Sequence, residues 1–453
     1  MNVENPTPTN NRLGFHYYPD ASHYTDSDLR TWLPELKQLG ANWLTLVAPR
    51  DRAIPEAFLT GLLQAGIEPI LHFHIPLTSP PAPEEMALLF SSYARWGVRY
   101  AALFDRPNTR VAWSASTWAQ TDLVERFLDI FIPLAEAALN AGLIPVLPPL
   151  EPGGDYWDTS FLLAALRGMQ RRGSLQLLQS LALGAYAWLG EHPLTWGAGG
   201  PERWPGTRPY ITPADQQDQR GFYIFDWYKA IAQAILGKSP DILLLGAGYR
   251  MKTGVDHDPS IDEVYQHARE NLALFKLIQE GQTTDDEGVV GEPVAAEVLA
   301  CNFWLLACAP DQAMAGEAWF QPDGSMLPIV AALHPRTQDP PQDEEQEEEI
   351  PLPPFDEPIV EEVRHPIEHY LLLPLYDWGV IEWHLDAIRP YILRHQPTVG
   401  FNLSEAILAK HVTVLGGEQT FPAEEIERLH QAGCSVELVS GDGTSIATQM
   451  AVL

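Results

Sequence analysis

The sequence predicts an α/β protein in which a (β/α)₈ barrel is followed by an acidic linker and a small doubly wound α/β domain. Three observations support this prediction. Eight short apolar runs, each followed by a helical or loop segment, lie between residues 13 and 335, which is typical of a barrel domain over 1–335. A proline-rich acidic stretch occupies 336–362, and four further apolar runs with helical patterns between them fill 363–453.

The eight predicted barrel strands follow one another along the chain. In order they read LGFHY, NWLTLVA, EPILHFHI, RYAALFD, LIPVLPPL, LALGAYAW, DILLLGAG and LACNFWLLA. Between them, segments such as TDLVERFLDIFIPLAEAALNAG place apolar residues three and four apart, which predicts amphipathic helices. A long loop rich in glycine, proline and tryptophan, residues 190–220, follows the sixth run. Long insertions of this kind usually lie on the functional face.

The remainder of the chain predicts a linker and a second domain. Residues 336–362 combine prolines with the acidic run DEEQEEE, so we expect an extended linker, with an interaction tail as the alternative. The runs HYLLLPLYD, TVGF, HVTVLGG and CSVELVSG predict four parallel strands. The segments EWHLDAIRPYILRH and PAEEIERLHQAG predict helices between them.

The charge balance limits the classes of partner. The chain has 60 acidic and 28 basic residues, which gives a formal net charge of −32. Such a surface repels phosphate groups, so neither nucleic acid nor an anionic membrane is an expected partner, whereas a basic protein is a reasonable one. Only three cysteines occur and none has a metal-ligand spacing, so the sequence predicts no metal and no cofactor.

The N-terminal residues bear on location. The opening MNVENPTPTNNRLGFHYYPD lacks the basic segment followed by an apolar core with which a signal peptide begins. We therefore expect a cytoplasmic protein, and the cell envelope is the alternative.

Four segments carry a resemblance to a known family. They are YAALFDRPN at the fourth run, LALGAYAWLGEHPLTW at the sixth, ILLLGAGYR at the seventh, and CNFWLLA with the later GEAWFQPDGS at the eighth. In this order they resemble the clan of retaining glycoside hydrolases built on a TIM barrel, above all its bacterial cellulase-like and xylosidase-like branches. The resemblance covers roughly residues 13–335 and implies a barrel of the sugar-cleaving type.

The resemblance also implies where catalytic groups should lie. A retaining mechanism uses two carboxyl groups about 5–5.5 Å apart, which this clan places after strands four and seven. By motif, the acid position falls on Arg106 and the nucleophile position on Gly246. The histidine of a His-Asn-Tyr pattern falls on Gly184, and its tyrosine is retained as Tyr186. Arginine cannot donate a proton near neutral pH and glycine has no side chain, so the resemblance predicts the fold and argues against the activity.

Other carboxylates near the strand ends could substitute for the missing pair. Asp105 and Glu317 are the first candidates. Further acidic residues on the same rim are Asp20, Glu151, Asp155 and Glu191. The simpler interpretation of Asp105 is that it pairs with Arg106 or Arg110 and fixes a loop.

Aromatic and polar residues near the strand ends predict a carbohydrate groove without chemistry. Sugar rings stack their apolar faces on aromatic rings, while their hydroxyls need donors and acceptors. The candidate ligand-binding residues are His16, Tyr17, His74, Asp105, Arg106, Tyr186, Trp188, Trp196 and Trp304. The alternatives are structural: His72 and His74 are core histidines, and the loop tryptophans only hold their loop. In the clan that the barrel resembles, a tryptophan at the position of Trp304 forms the floor of a sugar subsite.

The C-terminal domain is similar in one segment to the putative cell-wall-binding repeat of bacteria. The segment begins VTVLGGEQTF, and residues 437–441 and 444–448 resemble the end of that repeat, although the arginines of the repeat are missing. The loop SGDGTS has a second interpretation, a phosphate held by backbone N–H groups at a helix start. A docking or assembly role is the simplest prediction for the domain.

Three functions are consistent with these observations. The first is a catalytically impaired, glycoside-hydrolase-like barrel that binds carbohydrate or acts as a scaffold, which an open groove lined by aromatic rings would favour. The second is an active hydrolase with relocated carboxylates, which two facing carboxyl groups, one with a raised pKa, would favour. The third is a structural assembly protein, which a filled barrel mouth and an apolar surface patch would favour.

Overall fold

A computed structural model of the protein describes residues 11–252, 259–281 and 291–333. In the C-terminal part it describes residues 365, 367–374, 382–395, 397–400, 403–416, 421, 423–440, 445 and 449–450. The chain divides into two compact units, Met1–Gln342 and Asp343–Leu453. The acidic linker over 336–362 lies outside the described residues, so its boundaries stay a prediction.

Eight parallel strands close into a barrel in the first unit. They are β1 (Leu13–His16), β2 (Trp43–Val47), β3 (Glu68–Phe73), β4 (Tyr100–Leu103), β5 (Ile144–Leu147), β6 (Ala182–Trp188), β7 (Ile242–Gly248) and β8 (Val298–Phe303). Each strand pairs with the next in chain order, and β8 pairs with β1 to close the barrel. Every strand overlaps one of the eight apolar runs, so the predicted (β/α)₈ barrel is confirmed.

Helices connect the strands and cover the barrel. In the described part of this unit they are α1 (Asp26–Gln38), α2 (Glu56–Gln64), α3 (Pro83–Arg95), α4 (Ala115–Trp118), α5 (Leu123–Asn140), α6 (Asp158–Arg171), α7 (Leu175–Ser180), α8 (Gly200–Arg203), α9 (Ile224–Leu236), α10 (Ile261–Glu280) and α11 (Pro328–Leu333). Helix α1 begins at a capping box, because the Thr25 hydroxyl accepts from the Asp28 N–H and the Asp28 carboxylate accepts from the Thr25 N–H. None of the helices that the structure describes is long and apolar enough to cross a membrane.

The barrel has one apolar core between strands and helices and a second inside the strands. Rings such as Phe127 and Phe161 belong to the outer core, whereas Trp43, Ile70 and Tyr100 fill the interior. The barrel is therefore packed through its centre, as is usual for this fold. Because all the strands are parallel, their C-terminal ends form one rim, which we call the mouth, and their N-terminal ends form the opposite rim, which we call the base.

The second unit is a four-stranded parallel sheet. Its strands are β9 (Ile367–Leu372), β10 (Thr398–Gly400), β11 (Ala409–Leu415) and β12 (Ser435–Val439), in the spatial order β10-β9-β11-β12. The helices in the described part of this unit are α12 (Glu382–His395), α13 (Leu403–Ala406) and α14 (Ala423–Gln431). The predicted small α/β domain with four parallel strands is thus confirmed. Residues 441–444 of SGDGTS and 446–448 of the segment that resembles the repeat lie outside the described residues.

Candidate functional site

The loop after β4 is held in a fixed conformation that brings Asp105 and Arg106 to the mouth. Phe104 and Arg106 both adopt left-handed backbone angles, with φ of 72° and 42°. Such angles are costly for residues other than glycine and persist where surrounding contacts enforce them. Here the buried Asn108 side chain donates to the carbonyls of Glu151 (2.8 Å) and Tyr156 (3.0 Å) and accepts from the Glu151 N–H (2.8 Å). These bonds join the β4 loop to the β5 loop.

Asp105, Arg106 and Glu151 form a group that we call the charged cluster. Arg106 Nε donates to Asp105 Oδ2 at 2.9 Å, and Arg106 Nη1 lies 3.6 Å from Glu151 Oε2. The Tyr186 hydroxyl donates to the other Asp105 oxygen at 2.8 Å. Both oxygens of Asp105 are therefore occupied by donors, and the arginine lies between two carboxylates.

The two carboxyl groups of the charged cluster have pKa values shifted in opposite directions. For Asp105, burial would raise the pKa, but His72, His74 and Arg106 with the Tyr186 hydrogen bond outweigh it and lower the pKa. For Glu151, burial raises the pKa and the charge of Arg106 only partly offsets it. Asp105 is thus the more firmly ionised of the two.

Two histidines from β3 stand beside Asp105. His72 Nε2 is 2.9 Å from the Phe104 carbonyl and must carry the proton of that hydrogen bond, so His72 Nδ1 accepts from His74 Nε2 at 3.2 Å. Burial lowers the pKa of His72 to about 3, which keeps its ring neutral at neutral pH. His72 therefore fixes the β4 loop through the Phe104 carbonyl, and His74 is exposed next to it.

Aromatic rings from β6 and β8 form the opposite side of the mouth, and we call Tyr186, Trp188 and Trp304 the aromatic platform. Tyr186 and Trp188 stack with centroids 5.1 Å apart and planes at 16°. Trp188 meets Trp304 edge-on at 5.9 Å, and Trp304 lies 4.6 Å from the buried His16 ring. Trp188 and Trp304 are half-buried, so part of each indole faces solvent.

The aromatic platform covers the position at which the resemblance implies a nucleophile. A Cβ atom on Gly246 would lie 2.5 Å from Trp188 Cη2 and 3.1 Å from Tyr186 Cδ1. Contacts that short do not occur between a side chain and a ring that stay in place. Glycine at 246 is therefore required by the rings, and the space of the missing carboxylate is filled.

Arg250 extends the platform towards the eighth strand. The Asn271 side chain accepts from the Tyr249 N–H and donates to the Tyr249 carbonyl, both at 3.0 Å, which fixes the backbone just before Arg250. The Arg250 guanidinium lies 5.0 Å from the Trp188 centroid and 4.9 Å from that of Trp304, within cation–π range. It also binds Glu317 with two hydrogen bonds of 2.8 and 2.9 Å. Glu317 is 1% exposed, so this substitute candidate is a buried ion-pair partner.

The other predicted site residues lie elsewhere. Tyr17 is fully buried on the outer side of β1, in ring contact with Tyr18, Tyr24, Trp32 and Phe58. Trp196 stacks on His192 with centroids 4.1 Å apart and donates to Asp218 Oδ1 at 3.1 Å. The structure thus brings together His16, His74, Asp105, Arg106, Tyr186, Trp188 and Trp304, and it does not bring Tyr17 or Trp196 to them.

The sequence prediction missed Arg250. The available signal was a charged residue two positions after the apolar run of β7. Two further polar atoms also stand out at the mouth. His16 Nδ1 and Trp304 Nε1 are buried and have no hydrogen-bond partner among the described residues. A ligand hydroxyl could accept from the indole N–H.

The described residues provide no evident metal site. Within 11–252, 259–281, 291–333 and the described C-terminal residues, no group of three or more histidine, cysteine or acidic side chains has a geometry that could hold an ion. Cys301, Cys308 and Cys434 are free and buried. Arginines, carboxylates, histidines and aromatic rings line the mouth.

Comparison with known proteins finds similarity at the level of structure. No protein-family model matches the chain, and no curated protein sequence is significantly similar to it. Similar solved structures include a family 39 glycoside hydrolase from Bacteroides cellulosilyticus WH2 (TM-score 0.46, 11% identity, 73% of this chain and 64% of that chain). They also include a monomeric beta-xylosidase from Caulobacter crescentus CB15 (0.44, 13%, 72% and 67%) and a GH128 endo-beta-1,3-glucanase from Sorangium cellulosum (0.41, 12%, 72% and 99%). The chain thus spans less than two thirds of the Bacteroides protein, and the likeness is one of barrel architecture.

Proposed function

We propose that the barrel is a non-catalytic, glycoside-hydrolase-like module that binds carbohydrate at its mouth. One observation carries the proposal: Arg106 is locked between two carboxylates at the position that the resemblance implies for the acid, and rings cover Gly246 at the position that it implies for the nucleophile. Double displacement needs an acid that can give up a proton and a nucleophile that can reach the anomeric carbon. Neither position supplies such a group.

The candidate substitutes are engaged in other contacts. Asp105 is bound by Arg106 and Tyr186, and Glu317 is held by both nitrogens of the Arg250 fork. The lowered pKa of Asp105 makes it a poor proton donor, and both oxygens of Glu317 are occupied by Arg250. Attack by Asp105 or Glu317 on a sugar would first require breaking these bonds.

The same mouth retains the groups that recognise a sugar. Trp188 and Trp304 present partly exposed indole faces, Arg106 is 46% exposed at the side chain, and Arg250 is 34% exposed. Aromatic faces bind the C–H surfaces of sugar rings, and guanidinium N–H groups donate to hydroxyls. The three carboxylates of Asp105, Glu151 and Glu317 outnumber the two arginines that they pair with, so the site favours an uncharged glycan over an anionic one.

A second candidate function is hydrolysis with relocated carboxylates, and one specific observation favours it. The pKa of Asp105 is lowered while that of Glu151 is raised. Carboxyl groups whose pKa values are pushed apart are the usual sign of a base or nucleophile beside an acid. In this alternative Asp105 would act as the base or nucleophile and Glu151 as the acid, with Arg106 displaced from between them by the substrate.

Binding is the first measurement. Xylo-, cello- and laminari-oligosaccharides are titrated into the intact protein in a calorimeter. The Trp188→Ala and Trp96→Ala variants are titrated with the same oligosaccharides in parallel. We expect saturable binding of at least one neutral oligosaccharide, weakened about tenfold or more by Trp188→Ala because a stacking face is lost. Trp96 is a half-buried tryptophan that follows α3 away from the mouth, so Trp96→Ala should bind like the parent. Absence of binding across the panel would contradict the proposal.

Hydrolysis is measured with dinitrophenyl glycosides, whose leaving group departs without acid assistance. We expect no turnover above background. Turnover that is abolished by Asp105→Asn would establish the second candidate function instead. The Glu151→Gln variant would then be compared on both kinds of substrate. Loss of turnover with ordinary aryl glycosides, together with unchanged turnover of the dinitrophenyl glycosides, would assign Glu151 as the acid.

A further inference from the structure

A separate cavity lies at the base of the barrel. Its volume is about 260 Å³. It is lined by Asn11, Asn42, Trp43, Leu63, Gly66, Ile67, Glu68, Arg99, Tyr100 and Leu299. Trp43, Glu68 and Tyr100 are the first residues of β2, β3 and β4. Because the strands are parallel, this base cavity is at the opposite end of the barrel from the mouth.

Glu68 presents a polar atom with an unmet hydrogen-bonding capacity. Arg99 Nη2 donates to Glu68 Oε2 at 2.9 Å. The second oxygen, Oε1, is buried and has no hydrogen-bond partner among the described residues. Burial raises the pKa of Glu68, although the hydrogen bond and charge of Arg99 oppose the shift. A buried acceptor without a donor is costly, so a ligand that donates to Oε1 would gain that free energy.

The aromatic walls of the base cavity are fixed in place. Trp43 and Tyr100 are 9% and 3% exposed, and their ring centroids are 5.7 Å apart at 52°. The Trp43 indole N–H donates to the Asn11 carbonyl at 3.2 Å, and the Asn11 side chain is in turn bonded to Asn42 Oδ1 at 2.7 Å. The walls are therefore pre-organised, which reduces the entropy lost on binding.

The charges of the base cavity select the class of ligand. Arg99 is paired to Glu68 and lies over the Tyr100 ring at 5.2 Å. A cationic ligand would meet this guanidinium, and an anionic one would meet the carboxylate. Leu63, Ile67 and Leu299 add an apolar wall to the lining, beside the uncharged Asn11 and Asn42. A flat neutral molecule with one donor fits both features.

We propose that the base cavity binds a small uncharged ring compound that carries an N–H or O–H donor. The ring lies against Trp43 and Tyr100, and its donor binds Glu68 Oε1. This site is independent of the proposed function at the mouth, because it shares no residue with the charged cluster or the aromatic platform.

The test uses indole and 1-methylindole, which have the same ring system and differ in the N–H donor. Each is titrated into the intact protein by calorimetry. We expect saturable binding of indole and about tenfold or more weaker binding of 1-methylindole, because a hydrogen bond to a carboxylate is lost. Equal affinity for both compounds, or no saturable binding of indole, would overturn the proposal.

Two tryptophan variants locate the binding site. Leu63 is half-buried at the cavity wall, so Leu63→Trp should fill the base cavity and abolish indole binding. Val111 is 93% exposed on the loop after β4, so Val111→Trp adds the same side chain at the mouth end and should leave binding unchanged. Retention of full affinity in a folded Leu63→Trp protein would exclude the base cavity as the site. If Leu63→Trp does not fold, the contrast between the two indoles in the parent still decides whether the bound ring needs its N–H donor.

Discussion

The two sides of the barrel mouth are built from different kinds of contact. On the side of β4 and β5, Asp105, Arg106 and Glu151 hold one another by charge at distances of 2.9 and 3.6 Å. On the side of β6 to β8, Trp188 stacks on Tyr186 and closes over Gly246, where a Cβ atom would be 2.5 Å from the indole. Around position 106 the contacts are ion pairs, whereas around position 246 they are close ring packing, with the Arg250–Glu317 pair further along the same side.

This difference determines how positions 106 and 246 should respond to substitution. Charge interactions fall off gradually with distance and are screened by solvent. A new residue at 106 therefore changes the electrostatic free energy of the charged cluster, and the loop after β4 can still fold. Close packing is much less tolerant, because added atoms force rings or backbone to move. Position 106 should therefore accept substitution, and position 246 should not.

The largest effect is expected on the aromatic side, from Gly246→Glu. The new side chain would collide with Trp188 and Tyr186 and would place a carboxylate in a buried strand. Overpacking with burial of a charge should lower the free energy of unfolding by about 3 kcal/mol or more. Chemical denaturation followed by circular dichroism measures this loss.

A double variant shows whether the indole is the cause. Combining Gly246→Glu with Trp188→Ala removes the nearest ring, so the double variant should be more stable than the sum of the two single losses predicts. Additive losses would show that the backbone at 246, rather than the Trp188 ring, rejects a side chain. Parent-like stability of Gly246→Glu alone would refute the steric account.

A smaller effect is expected on the charged side, from Arg106→Gln. Removing the guanidinium leaves Asp105 and Glu151 without their shared cation. Nearly half of the Arg106 side chain is exposed, with 46% accessible, so solvent screening limits the expected loss to roughly 1–2 kcal/mol near pH 7. Arg110→Gln, on an exposed residue of the same loop, is the matched control and should cost less.

The pH dependence of this loss identifies its origin. The folded-state pKa of Asp105 is lowered, so its stabilisation is present above the unfolded pKa of about 3.9 and is lost as pH falls through the folded value. Without Arg106 one of the interactions that oppose the effect of burial is lost, so the pKa of Asp105 should rise. The difference in the free energy of unfolding between Arg106→Gln and the parent should therefore be largest near neutral pH and shrink below about pH 4. A difference that does not change with pH would point to the backbone at 106 instead.

Much of the architecture could be predicted because it depends on local pattern. Each of the twelve described strands overlaps a predicted apolar run, since burial of a strand dictates apolar residues along its length. The placement of Asp105, Arg106, Tyr186 and Trp188 near one rim could also be predicted, because a parallel barrel puts the ends of its strands on one rim.

Contacts between distant residues could not be predicted in the same way. The bidentate pair of Arg250 and Glu317 joins positions 67 residues apart, and nothing local to either residue specifies its partner. Tyr17 is adjacent to His16, but strand alternation turns its ring into the outer core. Tyr186 and Trp188 cover Gly246 only because their rings stack on each other. A pattern of residue types along the chain does not specify how two rings are oriented.

The smallest effect is expected from Trp196→Phe. The sequence predicts Trp196 as a ligand-binding residue together with the aromatic platform, and this substitution tests whether it is one. Trp196 donates to Asp218 at 3.1 Å, but Asp218 also accepts from Arg220 at 2.6 Å and from Thr212 at 2.7 Å. Trp196→Phe should keep the stacking on His192. It removes one of the three side chains that donate to Asp218, and the bonds from Arg220 and Thr212 remain. The expected loss in the free energy of unfolding is therefore about 1 kcal/mol.

Because this contact network is built around Asp218 and does not include the aromatic platform, the affinity for oligosaccharide should stay at the parent value in calorimetry. A tenfold loss of affinity with Trp196→Phe would instead place the long loop after β6 in the carbohydrate site and extend the aromatic side of the mouth to residue 196.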